Sequence, residues 1–142
     1  MIAFYQKPDW ADFSVEALNT WLQEVAQVYG KSIGTLSYTF LSDEEIQRMN
    51  LDYLQHDYPT DIISFDYSEG DVLSGEIFIG SDVVRENGHH YKVDEREEMC
   101  RVMVHGLLHL AGFKDHSTEE KKQMRSNEDK CLLLRPKILI NK

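Results

Sequence analysis

The segment from Asp94 to Leu110 carries too little polar surface to lie on the outside of a protein. Stepping about 100° per residue around a helix with His105 at zero, the residues Val102, Met99, Leu110, Met103, Leu107, Cys100, Ala111, Val104 and Leu108 fill the arc from about 60° to about 300°. Only a narrow stripe of Asp94, Glu98, Arg101, His105 and His109 is polar. Such a helix has to run through the middle of a domain, packed on most sides, with the stripe as the floor of a crevice. Asp94, with Glu97 three positions later, reads as a capping box that opens it, and Gly112 as its stop.

The rest of the chain supplies the layers around this helix. Ile2 to Tyr5 reads as a short strand, and Ser14 opens a helix with Val15, Leu18, Leu22, Val25 and Tyr29 at helical spacing, stopped by Gly30. Ile33 to Leu41 alternates like a strand, and Ser42 with Glu45 caps a helix running toward Gln55. Strands follow at Asp61 to Tyr67 and at Gly75 to Gly80, then a short helix capped by Ser81 or Asp82 and ending near Gly88. Ser117 with Glu120 starts a last helix through about Leu134, closed off by Pro136. Strands early and helices late predict a single α+β domain over residues 1–142, with roughly four strands in a mixed sheet, about five helices and a central metal-binding helix of zincin-like type.

At 142 residues one hydrophobic core suffices without disulfide staples. Cys100 and Cys131, far apart and outside any Cys-x-x-Cys pair, read as buried, reduced thiols. No apolar run approaches the roughly 20 residues of a membrane span, and the N-terminus lacks the pattern of a signal peptide, so a cytoplasmic location with no membrane association is expected. The net charge of −10 argues against a polyanionic partner, but its distribution is uneven: 8 of the 15 basic residues and only 5 of the 25 acidic ones fall between 114 and 142. Lys121, Lys122, Arg125 and Lys130 in that stretch read either as a solvated helix face or as a nucleic-acid contact, the former being the commoner case.

The chemistry concentrates in His105 to His116. His105 and His109, four residues apart, lie about 40° apart on the helix and reach one divalent ion together, which satisfies two imidazole lone pairs that the apolar helix would otherwise have to accommodate separately. Past Gly112 the chain is free to fold back, bringing a third ligand from Asp115 or His116, with Asp115 slightly preferred. The zinc-peptidase motif is excluded at one position, because its general-base Glu directly after the first His is replaced by Gly106. Glu98, one turn earlier on the stripe, and Glu76, on the last strand, are the other candidate bases.

The run His105-Gly106-Leu107-Leu108-His109-Leu110-Ala111-Gly112-Phe113, followed by Asp115-His116, resembles the bacterial YbeY endoribonucleases. Pro59-Thr60-Asp61-Ile62-Ile63-Ser64-Phe65 and Gly75-Glu76-Ile77 resemble two further stretches of that family, so the likeness spans essentially the whole chain. It implies an α+β fold, one zinc ion per chain, a cytoplasmic location and single-strand-specific cleavage of ribosomal RNA, with the small ribosomal subunit as a further partner. Two positions depart from the family pattern. Lys114 lengthens the loop, so that Asp115 stands where the family's third His is found and His116 one residue later. Leu54 stands where the family has an Arg; Arg101 is an alternative cation, although an i,i+4 pair with Glu97 is the more ordinary role.

Together these features point to metal-assisted RNA cleavage. Zinc on His105, His109 and Asp115 or His116 would polarise a phosphodiester oxygen or lower the pKa of a bound water. The loop residue that is not a ligand, His116 by preference, would act as acid or base. RNA would approach over the basic C-terminal helix, with Tyr58 and Tyr67 as candidate stacking platforms. The rival readings are a zinc hydrolase of peptides or small molecules, and a non-catalytic ribosome-assembly factor braced by zinc.

Overall fold

A computed structural model describes residues 1–140. Its elements are β1 (Ile2–Tyr5), a short 3-10 turn (Asp9–Ala11), α1 (Val15–Val28), β2 (Ser32–Leu41), α2 (Asp43–Leu54), β3 (Ile62–Asp66), β4 (Val72–Gly80), α3 (Ser81–His90), α4 (Glu95–Leu110), α5 (Thr118–Leu132) and α6 (Lys137–Ile140). The four strands form one mixed sheet in the order β1-β2-β4-β3. β1 and β4 both pair in parallel with β2, while β3 is antiparallel to β4.

Strand alternation assigns the two faces of the sheet. Leu36, Tyr38 and Phe40 of β2, with Leu73, Ile77 and Ile79 of β4, point into the main core, where α1 and α4 cover them. On the other face α2 covers one end, packing Ile46 and Met49 on Leu41, Ile63, Phe65 and Phe78. The uncovered remainder of that face is an open groove of about 760 Å³ lined by Tyr5, Thr35, Ser37, Tyr67 and Glu76, among others.

The central helix is as buried as its sequence requires. Met99, Cys100, Met103, Val104 and Leu107 are fully enclosed, and Val102, Leu108 and Leu110 nearly so. Tyr38 on β2 donates its hydroxyl to the Met103 carbonyl at 2.8 Å, tying the middle of α4 to the sheet. Trp21 on α1 donates its indole N–H to the Cys131 carbonyl at 2.9 Å, tying α5 to α1. Both cysteines are free and buried, and burial pushes the Cys100 thiol up to about 11.

Several ends differ from the sequence reading. There are six α-helices among the described residues rather than about five, because Pro136 is followed by α6: a proline that cannot continue one helix suits the first turn of the next. The last long helix accordingly ends at Leu132 instead of Leu134. Helix α3 has Gly80 at its N-cap with no side-chain bond from Ser81 or Asp82, and it continues through Gly88 to His90 because Lys92 takes the left-handed turn. The capping boxes at Ser42/Glu45 and Ser117/Glu120 are complete, whereas only Asp94 caps α4; the Glu97 carboxylate instead faces Arg135 at 3.5 Å. Among the described residues no helix is long and apolar enough to cross a membrane.

Candidate metal centre

The last turns of α4 and the loop after it bring three donors together. His105 Nε2 and His109 Nε2 are 3.0 Å apart, and Asp115 Oδ2 lies 3.5 Å from each. Gly112, in the left-handed region at φ 103°, makes the reversal that returns Asp115 to the helix. The same turn bonds the Phe113 N–H to the Leu108 carbonyl and leaves the Phe113 carbonyl 2.9 Å from His109 Nδ1. A carbonyl only accepts, so His109 carries its proton on Nδ1 and presents the Nε2 lone pair to the cluster.

His105 is oriented in the same way by a residue from another helix. Its Nδ1 lies 2.6 Å from Oε2 of Glu128 on α5, a carboxylate only 5 % exposed. Arg101 anchors that carboxylate through Glu128 Oε1 at 3.0 Å and extends to Asp129 at 2.7 Å. With both Nδ1 atoms donating outward, the neutral imidazoles turn two Nε2 lone pairs toward a carboxylate oxygen, a set of donor atoms that fits a divalent cation. The carboxylate–histidine and carbonyl–histidine contacts are the outer supports that metal-bound imidazoles commonly have.

Beside His105 is a cavity of about 160 Å³ lined by Asp61, Glu98, Arg101, Val102, Arg125 and Glu128. Burial lowers the affinity of His105 for a proton, but the hydrogen bond and charge of Glu128, helped by Asp115 and Asp61, outweigh it and hold the pKa above the ordinary imidazole value. Burial raises the pKa of Asp61 against the opposing pull of His105 and of nearby backbone and Thr60 donors. Glu98 is also raised by burial, with Arg101 and Arg125 opposing.

The sequence candidates separate on this geometry. His105, His109 and Asp115 come together; the exposed His116 is outside the group, with its backbone N–H on Glu120. Glu98 lines the cavity, but Glu76 points to the opposite side of the sheet from Ile77, accepts the Tyr67 hydroxyl at 2.9 Å and does not line it. Neither Tyr58, stacked on His56, nor Tyr67 lines it either, although both are exposed. Arg101 pairs with Glu128 and Asp129 rather than Glu97, since its side chain follows the stripe toward α5. Leu54 is a half-exposed apolar residue at the end of α2. Sequence reasoning alone does not reach Glu128 and Asp61; the one available signal is a glutamate on the Met124, Asn127 and Cys131 face of α5, where burial demands a partner.

Gly106 faces the sheet. A Cβ there would lie 2.9 Å from Ile62 Cδ1 and 3.0 Å from Ile77 Cδ1, so the position after the first histidine is the contact point between α4 and the strands and has no room for a catalytic carboxylate.

A family profile described as Endoribonuclease YbeY matches residues 4–134. The Parabacteroides distasonis protein named Endoribonuclease YbeY is 46 % identical over 121 residues, covering 85 % of each chain. The Bacteroides thetaiotaomicron protein of the same name is 44 % identical over 124 residues, covering 87 % of this chain and 90 % of that one. A solution structure of a Thermotoga maritima protein superposes with a TM-score of 0.71 at 27 % identity, over 94 % of this chain and 88 % of the other.

Proposed function

The chain belongs to the YbeY endoribonuclease family, and we propose from that premise that it is a zinc-dependent endoribonuclease that cuts single-stranded ribosomal RNA during its maturation. The observation that carries the zinc assignment is the convergence of the His105 and His109 Nε2 lone pairs with Asp115 Oδ2, with both Nδ1 protons committed elsewhere. Residues 1–142 act as one metal-dependent hydrolase domain, with the cytoplasm as its setting and the small ribosomal subunit as the particle that presents the RNA.

His105, His109 and Asp115 hold one zinc ion per chain. An ion held by three side chains supplies Lewis-acid stabilisation to charge developing on a phosphodiester. Glu128 and the Phe113 carbonyl keep the two imidazoles in the ligating tautomer. Asp61 and Glu98, whose carboxyls burial holds toward the protonated form, are the groups beside His105 able to take or give a proton. His116, next to Asp115 and exposed, serves proton transfer rather than coordination.

Two observations weigh against the rival readings. Gly106 packs on Ile62 and Ile77, which removes the base of a zinc peptidase. Three converging donors among the described residues, rather than the four of a structural zinc site, favour catalysis over bracing.

The test incubates zinc-loaded protein with single-stranded ribosomal RNA and, separately, with peptides, in parallel with His105→Ala and with chelator-treated protein. RNA cleavage by the loaded wild type alone is expected. Peptide hydrolysis in its place, or RNA cleavage that survives His105→Ala, would overturn the assignment.

A further inference from the structure

Helix α5 turns a basic face outward. Thr118, Lys121, Lys122, Arg125, Ser126 and Asp129 recur at spacings of three and four and line an open trough of about 490 Å³. Lys121, Lys122 and Arg125 are exposed, and among the described residues none of the three makes a salt bridge. The single carboxylate in the trough, Asp129, is held at 2.7 Å by Arg101, which it shares with Glu128, so three cations face one partly neutralised carboxylate. On a chain of net charge −10, this strip is a local reversal of sign.

The strip is continuous with the site. Arg125 lines both the trough and the cavity that contains His105, Asp61 and Glu98. It acts on Glu98 electrostatically across that cavity without forming a salt bridge to it. Lys121 and Lys122 stand one helical turn before Arg125, about 5 Å along the axis. That interval is of the order of one phosphate step in an extended strand.

We propose that the α5 trough is the backbone track of the substrate strand: Lys121 and Lys122 take one phosphate, Arg125 takes the next, and the one after that is presented to His105, His109 and Asp115. This rests on the RNA-hydrolase reading above. Arg125 is then a positioning residue, setting which phosphodiester reaches the metal ligands. Because the track contacts phosphates, it is indifferent to base sequence. A substrate needs two phosphates on the track side of the scissile bond to engage it fully.

The experiment measures binding by fluorescence anisotropy across a salt series, and cleavage of single-stranded oligoribonucleotides lengthened one nucleotide at a time, using zinc-loaded full-length protein. The variants are Lys121→Gln/Lys122→Gln, Arg125→Gln, and Lys130→Gln as a charge-matched change on α5 outside the trough. Each phosphate that a variant no longer neutralises is expected to flatten the dependence of log K on log salt by about 0.7. Binding should weaken to a similar degree for all sequences. The lysine pair should raise KM more than it lowers kcat and abolish the gain in kcat/KM that wild type shows when the second track-side phosphate is added, whereas Arg125→Gln should abolish the gain from the first. If wild type cleaves RNA but the trough variants keep its KM, salt slope and length dependence, or Lys130→Gln does equal damage, the track is overturned while the nuclease reading stands. If wild type neither binds nor cuts RNA, both fall together.

Discussion

Glu128 Oε2 lies 2.6 Å from His105 Nδ1, so a carboxylate on α5 selects which nitrogen of an α4 imidazole faces the metal site. The bond spans 23 residues and is itself braced by Arg101, which leaves Glu128 little freedom to move away. Glu128→Gln keeps an oxygen that accepts the Nδ1 proton but removes the charge that makes the imidazole a better ligand. Zinc affinity, measured by competition with a chromophoric chelator, should fall about 10- to 100-fold, while far-UV circular dichroism stays that of wild type. Unchanged affinity would mean that Glu128 serves packing alone.

Asp115 and His116 are adjacent in sequence but differ in what they offer the site, and substitution should separate them. Asp115→Ala removes a ligand and should weaken zinc binding by more than the ~10- to 100-fold typical of an outer support. Asp115→His, which restores a donor at the same place, should recover most of it. His116→Ala should leave zinc content at one per chain and lower kcat by about 10²-fold if the ring transfers a proton in the reaction. Metal analysis of the purified variants, read beside their kinetics, decides the assignment. Zinc lost from His116→Ala and kept by Asp115→Ala would reverse the two roles.

Gly106 tests whether the helix–sheet contact or the metal chemistry governs that position. In Gly106→Ala, improved helix propensity, worth about 1 kcal/mol, opposes the overpacking of a methyl group against Ile62 and Ile77, about 1–3 kcal/mol. Ile77 is fully buried and yields little, so a net loss of about 1 kcal/mol is expected from urea denaturation. Gly106→Glu would drive a carboxylate into the same contact and should cost more than about 4 kcal/mol, giving unfolded protein rather than a peptidase. A stable Gly106→Glu variant would show that α4 moves off the sheet more readily than its packing suggests.

Features set by neighbouring residues are legible in the chain. The apolar circumference of α4, the Ser14, Ser42 and Ser117 caps and the His105/His109 pair all depend on residues within one or two turns of each other. Which of Asp115 and His116 stands beside the two imidazoles depends on a turn whose outcome differs by one residue, and Gly112 and the Phe113 carbonyl direct the chain back past His109 so that Asp115 faces them. Glu128 meets His105 only because α5 crosses α4 at one particular register, and Asp61 reaches the same cavity from the entry to β3. Periodicity carries no information about such crossings. Arg101 illustrates the same point: its near neighbour Glu97 is available at helical spacing, yet two carboxylates from α5 claim it.

The raised pKa of His105 gives metal binding a definite pH dependence. Burial acts to lower it, but Glu128, with Asp115 and Asp61, prevails, so the folded protein without metal holds this proton more tightly than the unfolded chain does. Stability from this group is therefore fully present below the unfolded imidazole pKa of about 6.5 and is lost as pH rises through the higher folded value. Zinc needs the same nitrogen free, so its stabilisation should strengthen over that window as the proton leaves. Between about pH 6 and about pH 8 the Tm of the chelator-treated protein should drop relative to His105→Gln, while the gap between zinc-loaded and chelator-treated wild type widens. Differential scanning calorimetry on the two wild-type forms and the variant measures both trends. A gap that stays constant across that range would show that zinc does not displace a proton from His105, and would remove the imidazole from the ligand set.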